Sequence, residues 1–198
     1  MFTQSLRTIL EREKFVVVGE AADGREAVRM AEKHHPDVAI LDVAMPILNG
    51  LSAAREIEKV SPKTRRIILT SLTDERYILD ALRAGVTGYV LKTQAGAELV
   101  QAVNEVLYGK IYLSPGISRS VLEIYKDRAE LPPDPLSPRE RQILQLVAEG
   151  KSTKEAASIM GVSEKTAESH RTHLMSKLDI HQTAGLVRYA IKHGLVQA

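Results

Sequence analysis

The chain has 198 residues, 44% hydrophobic and 26% charged, with no cysteine and a net charge of +2. This is the composition of a globular protein of one or two domains, each able to bury its own core. Disulfides, thiolate metal sites and cysteine nucleophiles are excluded, and no apolar run is long enough to span a bilayer. Met1–Arg7 lack the basic region and apolar core of a secretory leader, so the expected location is the cytoplasm.

Leu6, Ile9 and Leu10 sit at helical spacing in Leu6–Arg12. Phe15-Val16-Val17-Val18-Gly19 reads as a strand and Asp23-Gly24 as a turn. Arg25–His34 reads as a helix with Ala27, Val28 and Ala31 inward, broken by Pro36. Val38-Ala39-Ile40-Leu41 is a short apolar run that suits a strand buried on both faces of a parallel sheet, and it ends on Asp42. Leu51–Val60 is a helix entered through Asn49-Gly50, and Ile67–Ser71 is another buried strand. Thr73-Asp74 opens a helix through Ala84, stopped by Gly85. Gly88–Lys92 is a strand ending on a lysine, and Ala97–Tyr108 a helix closed by Gly109. This alternation predicts an α/β fold, a doubly wound parallel sheet with helices on both faces.

Asp42, Thr70 and Lys92 stand at the ends of three such strands, which share one edge of a parallel sheet. Singly they read as a turn-capping acid, a strand residue and a surface lysine. Together they suit a phosphoryl group, with the carboxylate as nucleophile and the hydroxyl and ammonium stabilising oxygen charge.

Residues 1–110 resemble the receiver domain of two-component signalling. The resemblance rests on Leu41–Pro46 with Asn49-Gly50, on Ile68–Ser71 and on Ala84–Lys92. It implies a flavodoxin-like fold, with Asp42 as phospho-acceptor for a sensor histidine kinase. Thr70 would be the hydroxyl that moves toward the phosphate, Tyr89 the aromatic whose rotamer follows, and Lys92 the partner of the acid. It also implies Mg²⁺, held by Asp42, the backbone carbonyl of Ala44 and an acidic pair on a first strand. That strand and its pair, about ten residues of the pattern, are missing here, so the receiver is N-terminally truncated. Glu11, Glu13 and Asp23 come too late in the chain to replace them, and Asp42 with Ala44 alone is a poor Mg²⁺ site. The expectation is a natural product that starts further upstream. The alternative is a protein that lacks the strand and is not phosphorylated.

Residues 111–135 read as a linker. Ser114–Lys126 can form a helix, and Asp127–Pro135 is a polar, Pro-rich tether. Beyond it, Leu136–Ala198 carry nine Lys/Arg against six Asp/Glu, while the rest of the chain carries 18 against 19. A mildly basic tail suits an anionic partner or a plain solvated face. Ser137-Pro138-Arg139-Glu140 and Ser152-Thr153-Lys154-Glu155 are capping boxes, and Gly150, Gly161 and Gly194 are stops. Four short helices follow, the third from Ser163 through Lys177 and the fourth from His181 to His193, as in a helix-turn-helix unit with a supporting helix.

Residues 136–198 resemble the all-α LuxR-type helix-turn-helix domain of NarL/FixJ response regulators. The match rests on Leu136–Glu140, Ala148–Ser152, Ala156-Ala157, Val162-Ser163, Lys165-Thr166, His170 and Lys177-Leu178. It implies binding of double-stranded DNA through a recognition helix at Glu164–Lys177. Candidate contacts are Lys165, Thr166, Glu168, Ser169, Arg171, Thr172 and Lys177, of which Lys165, Arg171 and Lys177 suit phosphates. Glu168 stands where relatives often carry lysine, and can accept from a cytosine amine. His170 is expected to pack between helices. The reading is a homodimeric transcription regulator, not an enzyme and not membrane-bound, controlled by phosphorylation of Asp42. Its rival is a phosphorylation-independent regulator whose receiver serves dimerisation or protein binding.

Overall fold

The computed structural model describes residues 2–71, 78, 80–82, 84–115, 117 and 135–196. The helix expected from Thr73 to Ala84, the linker helix and the tether fall largely outside these residues. The chain divides into two compact units, Met1–Val43 with Gly50–Leu131 and Ala44–Asn49 with Pro132–Ala198.

The first unit contains α1 (Phe2–Arg12), α2 (Gly24–His34), β1 (Val38–Asp42), α3 (Gly50–Val60), β2 (Arg65–Thr70), β3 (Gly88–Leu91), α4 (Ala95–Leu107) and β4 (Tyr112–Leu113). All neighbouring strands are parallel, in the order β1-β2-β3-β4. β4 is a two-residue addition in the segment read as the start of the linker. Ile67 and Leu69, two apart on β2, share one face. They pack with Val90 on β3 and Leu99, Ala102 and Val106 on α4, while Leu6, Leu10 and Phe15 close that cluster from α1 and the turn after it. On α2, Asp23 caps by accepting from the Glu26 amide at 2.9 Å, and His35 ends the helix in the left-handed region at φ 42°.

Two expectations fail at one edge of the sheet. Phe15–Gly19 forms no strand; Phe15 packs inward, but Val16 is 86% and Val18 52% exposed. β-branched residues favour a pleated surface only where a neighbouring strand supplies one, and among the described residues none lies beside this segment. β1 was expected to be buried on both faces. Among the described residues it is instead an edge strand, with Val38, Ala39 and Ile40 half-buried and Leu41 fully buried.

The second unit holds α5 (Pro138–Ala148), α6 (Thr153–Met160), α7 (Glu164–Leu178) and α8 (Thr183–Lys192). Both capping boxes form, Ser137 with Glu140 and Ser152 with Glu155. Gly161 at φ 66° turns α6 toward Ser163, whose hydroxyl accepts from the Thr166 amide at 3.1 Å and starts α7. Ile143, Leu144, Ala156, Leu174, Leu186 and Ala190 are buried together at the centre. Each buried leucine or isoleucine contributes about 2 kcal/mol of transfer free energy. No helix among the described residues is long and apolar enough to cross a membrane.

Candidate functional site

β1 and β2 pair with Asp42 opposite Leu69, and β2 and β3 with Thr70 opposite Leu91. This register brings Asp42, Thr70 and Lys92 to one edge, because parallel strands end on the same side. The Lys92 amide donates to the Thr70 carbonyl at 2.7 Å, which fixes where its side chain leaves the sheet. Its Nζ donates to Asp42 Oδ2 at 2.5 Å. The pair is partly open to solvent, at 20% and 31% side-chain exposure for Lys92 and Asp42. Thr70 is buried behind them, and Tyr89 is buried in the middle of β3.

Gly50 holds the other side of the edge. Its amide donates to the Val43 carbonyl at 2.9 Å, and a Cβ there would fall 2.2 Å from the Asp42 carbonyl oxygen. Only glycine lets α3 begin so close to the Asp42 backbone.

The residues described do not fit Mg²⁺. No group of three or more His, Cys, Asp or Glu among them could hold a metal ion. Asp42 brings one carboxylate, and an ammonium already occupies one of its oxygens. Mg²⁺ demands a near-octahedral set of oxygens, which one carboxylate and the Ala44 carbonyl do not supply.

The second site is the outer face of α7. Ala167 and Leu174 are buried and His170 is half-buried. Lys165, Thr166, Glu168, Ser169 and Thr172 are all exposed. Arg171 is half-buried and Lys177 exposed, and both side chains are tied to other helices. Arg171 donates from Nη1 to Thr153 Oγ1 and from Nη2 to Thr183 Oγ1, both at 3.1 Å. Lys177 donates to Glu140 Oε2 at 2.7 Å. Burial alone would raise the Glu140 carboxyl, but the Lys177 ammonium and the amide and hydroxyl of Ser137 outweigh it and hold it down at about 2.

Two family models match the chain: the response regulator receiver domain over residues 1–104, and the luxR family of bacterial regulatory proteins over residues 134–190. The chain belongs to the NarL/FixJ-type response regulators. This DNA-binding regulator is 40% identical over 188 residues to the oxygen regulatory protein NreC of Staphylococcus carnosus, covering 91% of this chain and 87% of that one. A putative transcriptional regulator of Pseudomonas aeruginosa is 34% identical over 192 residues, covering 97% and 93%. Among solved structures, RcsB from Salmonella enterica serovar Typhimurium, bound to promoter rprA with the phosphomimetic BeF₃⁻, matches at 28% identity and a TM-score of 0.63, covering 94% and 91%.

In this response regulator four contributors escaped sequence reasoning. Glu140 was legible as a helix cap, not as the partner of Lys177. Thr153 and Thr183 carried no signal, since their link to Arg171 spans 18 and 12 residues and three helices. Gly50 was read as a helix entrance, and its approach to the Asp42 backbone emerges from the fold.

Proposed function

We propose that this regulator is switched by phosphorylation of Asp42 and reads double-stranded DNA through α7. The observation that carries the first half is the Lys92–Asp42 pair at the strand edge. A sensor histidine kinase supplies the phosphoryl group. The Asp42 carboxylate attacks phosphorus, the bond to the donor's leaving group breaks, and an acyl phosphate results. Lys92 then exchanges its carboxylate oxygen for a phosphoryl oxygen, Thr70 contributes its hydroxyl and Tyr89 follows it. Mg²⁺ takes no part in this account.

On the second unit, Lys165, Thr166, Glu168, Ser169 and Thr172 face the major groove. Lys165 meets phosphate, and Glu168 accepts from a cytosine amine. The regulator acts in the cytoplasm as a homodimer, since short helix-turn-helix units bind paired half-sites. The division into receiver (1–110), linker (111–135) and helix-turn-helix domain (136–198) belongs to the same proposal. The RcsB neighbour bound to a promoter with a phosphomimetic supports coupling of the two activities.

Acetyl phosphate labelling, with and without Mg²⁺, tests the switch by intact mass. Addition of one phosphoryl group that Asp42→Asn abolishes is expected. No adduct under either condition would favour the phosphorylation-independent regulator.

A further inference from the structure

Arg171 lies on the flank of α7, beside the buried stripe of Ala167 and Leu174, and is half-buried. Both hydroxyls it binds belong to first residues of helices, Thr153 of α6 and Thr183 of α8. One side chain thus joins three helices. A guanidinium is a rigid planar fork, so it sets the directions of both partners as well as their distances. Ser152 caps α6, whereas Gln182, at the N-cap of α8, makes no side-chain cap bond.

Charge does not explain an arginine here. A cation beside two helix N-termini opposes both helix dipoles. Lysine would meet the same opposition with a point charge and no fork, so the geometry of the fork is what selects the residue.

We propose that Arg171 is a positioning residue for DNA recognition. Its fork to Thr153 and Thr183 fixes α7 against α6 and α8, and it contacts no phosphate. This rests on the reading of α7 as the recognition helix. Bidentate contacts to base edges need exact placement of that helix, while backbone attraction tolerates tilt. Loss of the fork therefore lowers selectivity before it lowers general affinity.

The experiment uses the full chain with two probes: a duplex enriched from a random pool by the wild-type protein, and sonicated genomic DNA. Arg171→Lys should weaken binding of the enriched duplex about tenfold and leave binding of genomic DNA unchanged. Thr183→Val should act alike and add little to Arg171→Lys. Arg171→Ala should leave the slope of log affinity against log salt unaltered. Wild-type behaviour of Arg171→Lys, equal losses on both probes, or a slope shallower by about 0.9 in Arg171→Ala would each overturn the proposal.

Amide exchange without DNA decides the fork independently. Arg171→Lys should speed exchange in the first turn of α8, and unchanged exchange there overturns the proposal. Lys165→Ala reports on the recognition helix alone, with a slope shallower by about 0.9 expected. A failure of that slope to change, or of the wild-type chain to enrich any duplex, counts against the α7 reading and leaves the fork to be judged by exchange.

Discussion

α6 begins because Ser152 and Glu155 exchange hydrogen bonds across one turn of chain, whereas β1 exists because β2 lies beside it. The helical unit carries its boundaries in short stretches of sequence and closes its own core. The sheet draws its boundaries from distant partners, and where a partner is missing among the described residues, a strand-forming segment such as Phe15–Gly19 stays unpaired. Local signals can be read from sequence and survive in the fold, while signals that need a neighbour depend on that neighbour.

Mutations can break or sharpen this contrast. The largest effect is expected in the helical core. Leu174 is fully buried, so Leu174→Ala should cost 2–5 kcal/mol, roughly the range for buried leucines, with a matching loss in urea midpoint. Val38→Ala on half-buried β1 should cost clearly less. Equal costs would mean that the edge strand is held as firmly as the core.

Acid comes next. Glu140 is held down at about 2 from its ordinary 4.5, so between those values the unfolded chain binds more protons than the folded one. The stabilisation is present above pH 4.5, is lost as pH falls toward 2, and is on the order of 3 kcal/mol. Glu140→Gln should flatten the dependence of the urea midpoint on pH in this window; a profile as steep as wild type would refute the assignment to Glu140.

Gly50→Ala follows, at about 1–3 kcal/mol for forced overpacking, because the new methyl meets backbone at 2.2 Å. It should also lower phosphoryl labelling of Asp42. Normal melting together with normal labelling would show that α3 can retreat freely. Smallest of all, Val16→Ala at an 86% exposed position should shift stability by less than about 0.5 kcal/mol. A larger loss in melting temperature would reveal packing around Phe15–Gly19.

The sequence carried the alternation of strands and helices, both capping boxes, the Gly161 turn and the three polar strand ends. Each is encoded within a few residues or by a single strand terminus. It did not carry β4, whose two residues are too few for a periodic signal. Nor did it show which basic residues of α7 are tied to other helices. Arg171 and Lys177 look like Lys165 in a linear reading, and what separates them is the arrival of Thr153, Thr183 and Glu140 from other helices. The convergence of Asp42 and Lys92 on one edge was legible because parallel topology brings strand ends together, their pairing followed from the receiver resemblance, and the tight approach of Gly50 to Asp42 required the folded backbone.

β1 is laddered on one flank only among the described residues. Its outer amides therefore exchange by local fraying, whereas those of β2, laddered on both sides, need the sheet to open. The Asp42 carboxylate thus rides on a strand laddered on a single flank among the described residues. A phosphoryl charge added at Asp42 should therefore alter hydrogen exchange along Val38–Leu41 more than along β2.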